Sequence, residues 1–227
     1  MNARRHVIDL TCEARQVEDS VSCLFHTILF HRSLGKFRFR EDKLGNQTIV
    51  IGTVGFDDVD CTAVDLTYVR CSSTELRRAV AKEVSPFATA LQQEASSSSA
   101  TAAISLEFYE KRPRGLSVMG YDKLPWEIWV IKFTLVQSDT ESERLRYRYE
   151  LAPVLSDKML TIVDVMNRYE YVPKNPHKDQ LDVVFDISFP DVQPYLFRIS
   201  RNVESSNPSS QSVSKSMGRF LRDALEL

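Results

Sequence analysis

Residues 126–136, WEIWVIKFTLV, constrain the fold more than any other stretch. At the two-residue period of a strand, Trp126, Ile128 and Val130 point one way. Trp129, Ile131, Phe133 and Leu135 point the other. A strand that is apolar on both faces belongs in the middle of a sheet, with a covering layer on each side. The chain has 227 residues, 43% hydrophobic and 26% charged, so one large domain or two small ones can build such a core.

The remaining pattern is mixed. HVIDLTC (6–12) alternates as a half-buried strand, with Ile8, Leu10 and Cys12 on one face. From Gln16 the spacing turns helical through Val17, Val21, Leu24, Phe25 and Ile28, with Gly35 as a stop. FRFRE and TIVIGTV read as a hairpin turning near Gly45-Asn46, and AVDLTYVRC as a further strand. Ser72-x-x-Glu75 and Thr140-x-x-Glu143 are capping boxes that open two helices. Pro86 is expected to kink or restart the first and Pro153 to interrupt the second. The long second helix carries Leu145, Leu151, Leu155, Met159, Ile162, Val163 and Met166. AISLEFYEK, LDVVFDISF and PYLFRISR are strand-like. The tally of three larger helices and several strands in mixed order is α+β, without the strict alternation of a doubly wound sheet.

Chemistry is sparse. Lys plus Arg is 29 and Asp plus Glu is 31, a net charge of −2 that argues against nucleic acid as a partner. The longest apolar runs are too short to span a bilayer, and the charged first residues exclude a signal peptide. Scattered Cys12, Cys23, Cys61 and Cys71 read as reduced thiols of a cytoplasmic chain. No glycine pattern cradles a phosphate, so no cofactor is expected. His26 and His31 do not share a helix face as an i, i+4 metal pair would. Cys23 and His26, a turn apart, form a nucleophile pair only if a further group joins them from elsewhere. The acids of DDVD (57–60) read as a solvated turn. No catalytic constellation emerges.

Several long, collinear stretches carry a resemblance. They are LFHTILFHRSLGKF, IGTVG with DVDC, TYVR, SLEFYEK, PWEIW, IVDVMNRYEYVPK, DVQPYLFRIS and MGRFLRDALEL. Together they resemble the autophagy-related protein 101 family, HORMA-domain subunits of the autophagy-initiation (Unc-51-like) kinase complex. The resemblance implies a HORMA domain: a central, mainly antiparallel sheet backed by three helices, with an open-type C-terminal segment. It implies residues 1–200 as that single domain with a mobile connector near 92–103, a polar linker at 201–214 and a C-terminal amphipathic helix at 215–227. It further implies a non-enzymatic scaffold at the phagophore assembly site. That scaffold would heterodimerise with and stabilise the HORMA domain of autophagy-related protein 13 and help recruit downstream factors. Arg144, Arg146, Arg148 and Tyr149 on the long helix are candidates for the partner-facing surface, since Arg and Tyr are enriched at interface hot spots. The alternative is a peptide-capturing HORMA adaptor of the checkpoint or meiotic type.

The sequence departs from the family pattern at one place. Members carry a Trp-Pro-Phe finger in the loop before the central strand, and RGLSVMGYDKLPWEIW has none. Leu116, Val118 and Met119 occupy the tip between Gly115 and Gly120. Either these residues dock in place of the aromatics, as the adaptable Met side chain suits, or the loop folds back and buries them. Trp126 and Trp129 belong to the strand and its core.

Overall fold

The computed structural model describes residues 3–41, 47–94, 101–113, 120–168, 172–173, 176 and 180–203. Strand β1 (Arg4–Glu13) leads through a 3-10 turn (Ala14–Gln16) into helix α1 (Val17–His31). Five short strands follow: β2 (Ser33–Gly35), β3 (Phe37–Glu41), β4 (Gln47–Ile51), β5 (Phe56–Asp60) and β6 (Thr67–Cys71). Next come helix α2 (Thr74–Glu94), strands β7 (Thr101–Pro113) and β8 (Tyr121–Val136), and helix α3 (Glu141–Met166). The helical turn α4 (Leu181–Val184) and strands β9 (Val192–Pro194) and β10 (Phe197–Val203) complete the fold.

The main sheet has the order β1-β8-β7-β10. β8 lies inside it, parallel to β1 and antiparallel to β7, and β10 is antiparallel to β7. The architecture is therefore α+β with a mostly antiparallel central sheet. Register aligns His6, Trp129, Leu106 and Ile199 in one row and Ile8, Ile131 and Ile104 in the next. This face is covered by helices; Phe87 of α2 lies 6.1 Å from Phe133 of β8. Helix α1 is buried nearly all round, packed against α2 and α3, as a helix apolar on every side must be. Its Leu24, Phe25, Ile28 and Leu29 are fully buried, each contributing about 1.5–3 kcal/mol.

The second face of β8 differs from the expectation of two covering layers. Val130 is buried there, but Ile128 and Lys132 are half-buried and Thr134 is exposed. The helices pack on the first face, and on the second the neighbours Ser105, Ala103 and Asp9 are small or polar, leaving Val7 opposite Val130 as an exposed apolar residue. Trp126 is inward for a different reason. The β7–β8 register pairs Phe108 with Glu127 and Tyr109 with Pro125, leaving Trp126 as the extra residue of a bulge. A bulge re-aims its side chain, so Trp126 and Glu127 are both buried although adjacent.

That bulge serves a buried ion pair. Arg32, just past α1, donates from Nε and Nη2 to the two carboxylate oxygens of Glu127 at 2.7 and 2.9 Å. The side chains are only 7% and 3% exposed. The guanidinium lies over the Trp126 ring at 5.5 Å. The Arg32 carbonyl accepts from Tyr195 N at 3.0 Å, and Tyr195 packs edge-on to Trp126 and against Phe185. One arginine thus ties the end of α1 to the central strand and to the chain leading into β10.

Several expected elements take another form. The acids 57–60 lie in β5, not a turn; Asp57 is 3.7 Å from Arg70 and Asp60 accepts from Thr67 at 2.6 Å, so cross-strand partners on β6 hold an acid-rich strand. Residues 181–184 are a helical turn, not a strand, and only Phe185 bridges to Tyr195. Ser73, not Ser72, caps α2 by accepting from Leu76 N at 3.3 Å. The Thr140 capping box is present as read. Pro86 and Pro153 sit inside continuous helices. Helix α1 stops at His31, and Gly35 lies in β2, where a Cβ would meet the Gly52 carbonyl oxygen at 1.9 Å. Helix α2 runs to Glu94, β7 starts at Thr101 and β10 continues to Val203. The hairpin turn at 45–46 and the helix expected at 215–227 lie outside the described residues.

Breaking one half of a buried pair leaves an uncompensated charge, whereas replacing both by apolar groups is often neutral. Arg32→Met alone should lower stability by about 3–5 kcal/mol. Adding Glu127→Leu should restore most of that loss. Urea unfolding followed by tryptophan fluorescence measures both.

Candidate interaction surface

Helix α3 has three distinct sides. Leu151, Leu155, Ile162 and Met166 are buried against the body. Leu145, Tyr149 and Leu160 recur at helical spacing along one flank and are 47%, 61% and 70% exposed. Aliphatic and aromatic side chains this open, on one line, make an apolar stripe left uncovered among the described residues. Leu145 is on this flank and not in the buried stripe where spacing alone puts it. Leu145 stands about a third of a turn round the helix from Leu151 and about a quarter-turn from Leu155.

The candidate residues of this helix are placed as follows. Tyr149 lies on the stripe. Arg148 is half-buried, on the side of Leu151 and Leu155. Arg144 pairs with Glu141 at 3.5 Å, and its carbonyl accepts from Arg15. Arg146 pairs with Glu150 at 3.5 Å on the outermost side. The tyrosine is therefore joined by two leucines and not by the arginines. Leu160 carries the signal that spacing alone contained: it lies three turns from Tyr149.

The loop before the central strand is shorter than its sequence suggests. Pairing of β7 and β8 continues through Lys111↔Lys123 and Arg112↔Asp122 to Pro113↔Tyr121. The strands form a ribbon whose end residues Arg112, Pro113, Tyr121, Asp122 and Lys123 are exposed. Lys123 sits over the Tyr109 ring at 4.8 Å and Lys111 is 3.8 Å from Asp182, anchoring its base. Leu116, Val118 and Met119 lie outside the described residues.

A cleft of about 430 Å³ opens between β1, along Arg5–Asp9, and α3 at Lys158, Thr161, Ile162 and Val165. Its floor holds His6 stacked on Trp129, with ring centroids 4.1 Å apart.

The cysteine thiols and His26 of the core are held neutral. Burial pushes the Cys12 and Cys61 thiols up to about 12 and that of Cys71 to about 11, and raises Cys23 well above its ordinary value. A thiol so raised is a poor nucleophile at neutral pH. Cys23 donates to the Ser20 carbonyl at 3.3 Å, while His26 stacks on Tyr68. Burial, aided by Arg70 and Arg77, lowers His26 to about 4. His26 is buried and His31 half-buried. Among the described residues, no group of three or more His, Cys, Asp or Glu is placed to hold a metal, and no helix is long and apolar enough to cross a membrane.

The fold and its surfaces define a mixed α+β domain with an open apolar flank on helix α3. The model of one family, described as autophagy-related protein 101, matches residues 9–179. Autophagy-related protein 101 of Xenopus tropicalis is 43% identical over 227 residues, covering all of both chains. The Homo sapiens protein of that name is 41% identical over the same span, again covering both chains entirely. The Arabidopsis thaliana protein is 26% identical over 132 residues, 57% of this chain and 51% of its own. The chain belongs to the autophagy-related protein 101 family.

The buried His26 gives stability a definite pH dependence. Its folded-state pKa lies below the unfolded value near 6.5, so the unfolded chain binds the extra proton. The histidine costs nothing above pH 6.5, and stability falls as pH drops from there to about 4. The loss from this residue is on the order of 3 kcal/mol. His26→Gln should flatten that slope, measured by urea unfolding at a series of pH values.

Proposed function

We propose that this chain is a HORMA-domain scaffold subunit of the autophagy-initiation kinase complex, acting in the cytoplasm and at the phagophore assembly site. In this reading it pairs with and stabilises the HORMA domain of autophagy-related protein 13. Family membership supports the autophagy role, and the central sheet backed by three helices is compatible with the HORMA fold. The observation that carries the pairing is the exposed stripe of Leu145, Tyr149 and Leu160 on α3. A heterodimer interface needs such an apolar centre with a polar rim, and Arg146, Glu150 and Asp157 supply the rim.

The full chain mixed with that partner domain should elute as a heterodimer and raise its melting temperature. Leu160→Glu together with Tyr149→Ala should weaken association at least about a hundredfold, the scale of two hot-spot losses, with the free chain's melting temperature unchanged. Absence of a complex at micromolar concentration removes the proposed mechanism. The second activity in this reading is recruitment of downstream factors by Leu116, Val118 and Met119, in the segment of sequence between β7 and β8. Changing all three to Ser should leave fold stability and heterodimer formation intact and abolish recruitment to forming autophagosomes. A drop in stability would instead assign those side chains to the domain's own core.

A further inference from the structure

The cleft beside β1 has a geometry that the heterodimer reading does not use. β1 is the terminal strand of the main sheet, and no strand pairs with its outer side among the described residues. Every residue from Arg5 to Asp9 lines the cleft. Strand side chains alternate between faces, so consecutive residues share one space only across the strand's outer edge. The cleft is therefore the gap between an open backbone edge and α3, and an open edge is a template for another strand.

We propose that this cleft captures an extended peptide segment, which adds to the sheet antiparallel to β1 and carries a basic-x-aliphatic-x-acidic pattern. Val7, 47% exposed, is the centre of the outward side of β1. Arg5 and Asp9 flank it on the same sheet face, and both are exposed. An antiparallel strand read from its N-terminus passes Asp9, then Val7, then Arg5. Cross-strand complementarity therefore calls for a cation, an aliphatic and a carboxylate in that order. Arg5 makes no ion pair among the described residues. Lys158, on the far wall, is 3.6 Å from its neighbour Asp157, a pair of little strength.

The same β1 edge would be self-complementary with a second copy, because Arg5 would face Asp9 about a central Val7. Helix α3 decides against it. Lys158, Thr161 and Val165 stand across the gap from the strand. A lone strand asks for far less room there than a second sheet with its own helical layer. Capture on β1 is also distinct from closure of a C-terminal belt, since β10 is at the opposite edge of the sheet. It is independent of the heterodimer reading, because the stripe of Tyr149 and Leu160 lies on the other flank of α3.

The test is selection of random short peptides displayed on phage against the full chain, followed by synthesis of the enriched sequence. The expected peptides carry the basic-x-aliphatic-x-acidic order and slow amide exchange in residues 5–9. Thr161→Trp, which fills the cleft from an exposed helix position, should weaken their binding at least about tenfold without lowering the melting temperature. The double change Arg5→Glu with Asp9→Lys should reverse the selected charge order. Failure to enrich any peptide overturns the proposal. So do peptides indifferent to both changes, which bind elsewhere. Protection, in the free chain, of those amides of residues 5–9 that do not bond to β8 would assign the cleft to a segment of this chain itself, and such protection growing with protein concentration would assign it to a second copy; either result overturns it.

Discussion

The Arg32–Glu127 pair is the interaction on which the rest of the structure depends. Two charges with side chains 7% and 3% exposed survive burial only with complete hydrogen bonding. The bidentate geometry provides it, with a ring face above the guanidinium. Arg32 also sits where the C-terminal dipole of α1 favours a cation. Its backbone holds both the last turn of α1 and the start of the final segment through Tyr195. Because the pair joins three parts of the chain, it fixes the angle at which α1 crosses the sheet. It also fixes the path by which β10 reaches β7. Such a pair adds specificity of arrangement more than net stability.

The surfaces follow from that arrangement. All three helices cover one face of the main sheet, leaving the other partly polar and open. α3 lies over the β1 side, so it is supported along one line of residues only. Its two flanks therefore stay uncovered among the described residues, one apolar through Leu145, Tyr149 and Leu160, the other forming the wall of the cleft beside β1. A helix packed centrally, like α1, has no such freedom: its histidine and thiol are consumed in the core, which is why they are neutral and chemically quiet.

Legibility in the sequence depended on how local the deciding forces are. The central strand and the Thr140 capping box were readable because period-two apolarity and a three-residue spacing are local signals. β5 was not, because an acid-rich segment becomes a strand only when Arg70 and Thr67 lie opposite it. The ribbon was not, because YDKLP has weak strand propensity and is held by pairing with residues 109–113. LDVVF looked like a strand from its β-branched residues, yet the buried Val184 and Phe185 can reach the core only through a helical turn. On α3, apolarity alone could not separate Leu145 and Leu160 from Leu151 and Leu155. Which side is buried depends on where α1 stands.

The sequence by itself determined the α+β class, the central strand, the three larger helices and the family. Each is written in short-range periodicity, caps or long motif runs that need no knowledge of distant neighbours. The tertiary structure alone decided the Arg32–Glu127 pairing, across 95 positions of chain, and the bulge that turns Trp126 inward to meet it. It alone decided which flank of α3 is left exposed and that the edge of β1 opens on a cleft. These depend on register and on the packing of one element against another. A strand's pattern repeats every two residues and a helix's every turn, so neither states which neighbour will cover it.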